Sequence, residues 1–142
     1  LLVVNKNKIK GTRWERDAVK ILNKNFPDVW KRIPGSGAIG TILDMPILKG
    51  DLSGKYPFLP KRFVAEAKVG YGGTQMTVSK EWFDKIKLEA EQNFSLPLVL
   101  LKFEKATAGV KHIVAMDIDT WDELLAYIDE LKKDLDTSYE RL

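Results

Sequence analysis

The stretch Gly50-Asp51-Leu52, followed ten residues on by Arg62-Phe63-Val64-Ala65-Glu66-Ala67-Lys68-Val69, decides how this chain is read. The second segment alternates with the period of a β-strand. Phe63, Ala65, Ala67 and Val69 share one face, and Val64, Glu66 and Lys68 share the other. An ordinary core strand does not set a carboxylate and an ammonium on a face that also carries valine. Burying either charge is costly unless it is paired or holds a metal. Glu66 and Lys68 stand two residues apart, so both side chains project into the same space. Asp51 precedes Glu66 by 15 residues, room for a short strand, a turn and a return that bring the two carboxylates together.

Two hard carboxylate ligands beside a lysine suit Mg²⁺, with Mn²⁺ as a substitute. Mg²⁺ is commonly held by one or two carboxylates together with water and substrate phosphate. Such an ion neutralises charge growing on a phosphoryl oxygen and acidifies water. A lysine can orient that water or stabilise the charged phosphate. The same three residues also read as a weak ion pair on a solvated strand face.

Composition narrows the partners. The 142 residues are 44% hydrophobic and 30% charged, the balance of a globular chain with a real core, and they predict a single domain. No apolar run approaches the roughly 20 residues of a membrane helix, and Leu1-Leu-Val-Val is too short for the core of a signal peptide. The absence of cysteine rules out disulfides and thiolate metal sites and agrees with a cytoplasmic setting. One histidine, His112, excludes a histidine-rich metal site. The net charge of +3 hides an asymmetry: residues 1–68 carry 14 basic against 6 acidic residues, and residues 69–142 carry 9 against 14. The half that holds Asp51, Glu66 and Lys68 is the basic one, which points to a polyanion.

Taken in order, residues 1–10 form a basic arm. Thr12-x-x-Glu15 reads as a capping box that opens the first helix. Trp14, Ala18, Ile21, Leu22 and Phe26 give its apolar stripe, and Pro27 closes it. Glu15 can cap this helix, reach the site as a further carboxylate, or both. Arg13 and Arg16 at a helix start oppose the macrodipole, a cost that a phosphate partner would offset. Val29–Ile33 reads as a strand, Pro34–Gly40 as a glycine-rich loop whose amides can approach phosphate, and Leu43–Leu48 as a further strand. The loop lacks the Gly-Lys-Ser/Thr of a P-loop, so no nucleotide cofactor is expected. Tyr71 could stack on a base. A second helix is expected from its N-cap Ser79 to Asn93, with Lys80 at its start, a natural phosphate position. Strands are expected at 96–103 and 110–116. Thr120-x-x-Glu123 reads as a second capping box, opening a helix to about Asp134 with Trp121, Leu124, Leu125, Ile128 and Leu131 as its stripe. Residues 135–142 are expected to fray. The order gives an α/β fold with a central mixed sheet of four or five strands flanked by helices.

Gly50-Asp51 with Glu66-Ala67-Lys68 resembles the PD-(D/E)xK nuclease motif, with Gly50 where many members have proline. Glu15-Arg16, and Arg32 followed by Gly35-Ser36-Gly37, are similar to the archaeal-type Holliday junction resolvases (Hjc). The resemblance spans about residues 8–105. It implies a restriction-endonuclease-like core and a Mg²⁺-dependent endodeoxyribonuclease that leaves a 5′-phosphate and a 3′-hydroxyl. It implies a catalytic set of Glu15, Asp51, Glu66 and Lys68. The metal would be held by Asp51, Glu66, the backbone carbonyl of Ala67 and Glu15, and the attacking water placed by Lys68. Arg13, Arg16, Arg32, Ser36 and Lys80 would hold the DNA backbone. Four-way junctions would be the substrate, and two symmetric cuts would need a homodimer. Residues 37–61 are longer than the hairpin of typical members, which leaves Asp44 as a rival to Asp51; Gly50-Asp51 directly follows an apolar run and fits the pattern better. The same chemistry on restriction, repair or flap substrates, and a non-catalytic nucleic-acid-binding module, are the alternatives.

Overall fold

Two long apolar segments, 63–70 and 96–103, set the architecture because each is buried on both sides. The computed structural model describes residues 6–33 and 50–141. Among them the order is α1 (Lys6–Leu22), β1 (Trp30–Arg32), β2 (Leu52–Gly54), β3 (Phe63–Gly70), α2 (Lys80–Gln92), β4 (Leu96–Phe103), β5 (His112–Ala115) and α3 (Ile118–Glu140). The strands form one mixed sheet in the order β1-β2-β3-β4-β5. β1, β2 and β3 pair antiparallel, β3 and β4 pair in parallel from Phe63↔Leu96 to Gly70↔Phe103, and β5 returns antiparallel on β4. A parallel pair needs a crossover, and α2 supplies it.

The alternation expected in β3 is realised. Phe63 and Ala65 join Trp14, Trp30, Leu52 and Leu98 in the core on one face, with α1 and the Leu124–Tyr127 turn of α3 packed over it. Val64 faces the other way, with Val99, Leu101, Ile86 and Ala90 beneath α2. Glu66 and Lys68 follow Val64 on that second face. α2 begins and ends as its sequence predicts, between Ser79 and Asn93. Ser95 N–H then bonds the Ala90 carbonyl at 2.9 Å, while Phe94 takes a positive φ of 50° to end the helix.

Four helix boundaries differ from expectation. α1 starts at Lys6, so residues 6–10 are helix rather than arm, and the Thr12–Glu15 capping box lies inside the helix. Arg13 and Arg16 are therefore more than a turn from its N-terminus, beyond the reach of the macrodipole argument. α1 also stops at Leu22 rather than Pro27. Asn23 explains this: its side chain accepts from Trp30 N–H at 2.8 Å and donates to the Trp30 carbonyl at 3.0 Å, tying the chain into β1. At the other end, the N-cap of α3 is Asp117, not Thr120, whose hydroxyl bonds back to the Asp117 carboxylate. α3 continues to Glu140, so residues 135–140 are helical; of its apolar stripe Leu124 packs on the core, and Trp121, Leu125, Ile128 and Leu131 are exposed. The strand expected at 43–48 lies outside the described residues.

Trp30 anchors the β1–β2 corner. Its ring stacks on Phe63 with centroids 6.0 Å apart, and its Nε1–H donates to the Tyr56 hydroxyl at 3.0 Å. Gly54 lies directly across from Trp30, and a Cβ there would stand 2.5 Å from the indole. Gly54→Ala is expected to cost about 1–3 kcal/mol by overpacking, read as a lower urea midpoint at unchanged slope. An unshifted midpoint would show that the indole is free to move aside.

Candidate active site

The site forms where β2 runs out beside the middle of β3. The β2–β3 pairing ends at Leu52↔Ala65. Asp51 extends it by one more bond, its N–H donating to the Ala65 carbonyl at 2.9 Å. Its carboxylate Oδ2 then accepts the Ala67 N–H at 2.9 Å. The side chain is thus fixed against the strand that carries Glu66 and Lys68.

Glu66 is only 4% exposed, and two ammonium groups reach it. Lys68 Nζ stands 3.4 Å from one carboxylate oxygen and Lys85 Nζ, from α2, 3.1 Å from the other. Lys68 also lies over the Trp82 ring, 5.3 Å from its centre, which confines the ammonium to the site. Contact with Glu66, through hydrogen bond and charge, raises the pKa of Lys85 above its ordinary value. Glu15 pairs with Arg32 at 2.9 Å and comes close enough to Asp51 to act on its ionisation. Trp82 also lines, with Tyr71, Gln75 and Met76 among others, a groove of about 850 Å³ at the end of β3.

Gly50 is held by contacts that proline could not make. Its N–H donates to the buried Glu89 carboxylate at 2.6 Å. A Cβ at Gly50 would stand 2.7 Å from Val64 Cγ2 and 3.1 Å from both the Ala65 carbonyl and Glu89. Proline lacks the N–H and would add the Cβ. The glycine in this motif and the glutamate on α2 therefore belong together.

Asp51, Glu66, Lys68, Glu15 and Arg32 are gathered in one place. Arg13 and Arg16 lie exposed on α1, and Lys80 is paired with Asp84 at 2.7 Å. Ser36, the loop around it and Asp44 lie outside the described residues. Sequence reasoning missed Lys85 and Glu89. Their only signal was spacing: with Trp82 they recur at steps of three and four along α2, the period of one helix face.

The donor set is compatible with a hard divalent cation. Among the described residues no three acidic or histidine side chains form an all-protein cage. Asp51, bound to the Ala67 N–H, and Glu66, the residue before it, match instead the one or two carboxylates by which Mg²⁺ is usually held. The state of Asp51 supports the fit. Burial, then the negative charges of Glu66 and Glu15 and a hydrogen bond with Glu15, push its carboxyl from 3.8 to about 6, against the pull of the Ala67 N–H. A cation there would relieve that electrostatic crowding.

The raised carboxyl has a consequence for stability. A group whose folded pKa lies above its unfolded value favours the fold while protonated, and that contribution fades as pH rises from about 4 through about 6. Asp51→Asn is therefore expected to stabilise the metal-free protein at pH 7.5 by on the order of 2 kcal/mol and to be near neutral at pH 4. Urea unfolding at the two pH values measures this, and an equal effect at both would remove the electrostatic explanation.

The family model described as "Phage putative PDDEXK endonuclease" matches residues 6–140. No curated protein matches the chain. Among solved structures it is similar to Hjc of Archaeoglobus fulgidus, described as a Holliday junction resolvase from an archaeal hyperthermophile. The two are 18% identical with a TM-score of 0.48, over 80% of this chain and 88% of that one. The α/β core is the restriction-endonuclease-like one that the motif implies, and the chain belongs to the PD-(D/E)xK endonucleases, in the phage family whose model spans it almost from end to end.

Proposed function

We propose that this protein is a Mg²⁺-dependent, structure-selective endodeoxyribonuclease that resolves four-way DNA junctions as a homodimer, in recombination or repair. The observation that carries the reading is the meeting of Asp51 and Glu66 beside Lys68, one carboxylate fixed by the Ala67 amide and the other gripped by two ammonium groups. Divalent metals serve this superfamily generally; Mg²⁺ is the ion proposed here, with Mn²⁺ as its substitute.

Asp51, Glu66 and the Ala67 carbonyl would hold the ion, with Glu15 alongside. The ion, when bound, supplies positive charge to the scissile phosphate. Lys68, restrained by Glu66 and Trp82, orients the attacking water. Water adds to phosphorus and releases one proton to solvent, the bond to the 3′-oxygen breaks and that oxygen takes up a proton from solvent, leaving a 5′-phosphate and a 3′-hydroxyl. Lys85 holds the other oxygen of Glu66 from α2. Arg32, which pairs with Glu15, would meet a DNA phosphate, with Arg13, Arg16, Ser36 and Lys80 as further backbone contacts. The contact between Glu15 and Arg32 supports the junction reading, because those residues carry much of the resolvase-like part of the sequence.

The test is cleavage of an immobile four-way junction against matched duplex, flap and single strand, with Mg²⁺ and with EDTA. Paired symmetric nicks confined to the junction are expected. Asp51→Ala, Glu66→Ala and Lys68→Ala should each lower the rate about 100-fold or more, because each removes a group acting at the reacting phosphate. Cutting of duplex or flap in preference would keep the nuclease and discard the resolvase. Tight binding without cutting under any divalent metal would leave a nucleic-acid-binding module.

A further inference from the structure

α3 is 23 residues long, yet only its first half is held by the domain. Thr120 is buried, Leu124 and Tyr127 pack on the core, and Glu123 takes Lys61 at 2.9 Å. From Ile128 to Arg141 every residue is exposed. Along the outward side run Ile118, Trp121, Leu125, Ile128, Leu135 and Tyr139, between 42% and 76% exposed. Their steps of three, four, three, seven and four are those of coiled-coil seam positions, and Lys132 is the one polar residue that interrupts them. These six side chains present roughly 700 Å², more than the largest apolar patch of a typical monomer and close to one partner's share of a standard interface.

We propose that a second copy of this chain packs on this face, α3 against α3, in antiparallel register about a two-fold axis near Ile128. The stripe is self-complementary under that reversal. Ile118 meets Tyr139 of the second copy, Trp121 meets Leu135, and Leu125 meets Lys132. Asp122 and Asp129 flank Leu125 on the same helix face, one turn to either side. Each Lys132 therefore enters a hole edged by two aspartates. A parallel pairing would instead set the two Lys132 ammonium groups against each other. The acidic flank of Asp122, Asp129 and Asp136 excludes DNA from this face. Dimerisation itself belongs to the function proposed above. The face and its register are inferred from α3, and their test does not depend on cleavage.

Light scattering behind size exclusion should give twice the chain mass at 10–100 µM. Leu125→Glu with Ile128→Glu should yield a monomer, a dissociation constant at least 100-fold weaker, with unchanged circular dichroism because both positions face solvent. Lys132→Glu should weaken the dimer alone, and serves should the double variant fold poorly. The chain has no cysteine, so register can be read by oxidation. Leu125→Cys mixed with Lys132→Cys should form the mixed disulfide, and Leu125→Cys alone should not. A monomeric wild-type chain, a dimer that survives the charged substitutions, or ready Leu125→Cys self-linking would each overturn the proposal. A dimer that cuts no DNA would leave it standing while removing the nuclease reading.

Discussion

A carboxylate in the middle of a covered strand is the constraint on which this molecule turns. Glu66 sits where its neighbour Val64 is fully buried, and an unpaired charge there would cost several kcal/mol. The fold meets that cost by bringing ammonium groups from two elements. Lys68 comes from the same face of β3 and Lys85 from the crossover helix that packs on it. The parallel β3–β4 pairing and the placement of α2 are thus tied to the chemistry. Without the crossover, Glu66 would lose one of its two cations together with the apolar cover around it.

Asp51 shows the opposite arrangement. It has a backbone amide but sits among like charges, and its carboxyl rises to about 6. Two carboxylates side by side are thereby held in different electrostatic states, one neutralised by lysines and one crowded by glutamates. The local chain geometry supports this asymmetry. Gly50 lets β2 approach Val64 and Ala65 closely, and the buried Glu89 takes its amide. Replacing proline by glycine ahead of the aspartate loosens the backbone, and the bond to Glu89 restores the restraint from α2, on the same face of the sheet as Glu66.

What the sequence made legible follows from the range of each signal. The faces of β3 were readable because alternation is local, and so was the meeting of Asp51 with Glu66, because a short antiparallel return leaves little choice of register. The two capping boxes misled. Thr12 and Thr120 have the right neighbours three residues on, but α1 extends back to Lys6 and Asp117 caps α3 one turn earlier. Lys85 and Glu89 were not legible because nothing local says which polar residues on a helix will face a buried carboxylate on another element. The stripe on α3 was legible as a stripe, but whether the domain or a partner covers it was not. Periodicity reports that a face is apolar, not what covers it.

The charge asymmetry also resolves into architecture. α3 carries eight acidic against two basic residues, so the remainder of the chain stands at +9 while the whole is +3. The whole acidic excess of the second half is therefore confined to one helix, whose held part packs on the same core as α1, on the opposite face of the sheet from Glu66 and Lys68. A polyanion approaching this surface is repelled along α3 and attracted elsewhere, a polarity that orients encounter before any contact forms. The same segregation lets one helix combine an apolar seam with an acidic border without weakening the basic surface around Arg32. Confining negative charge to α3 thus separates a surface suited to protein from one suited to nucleic acid within a single short chain.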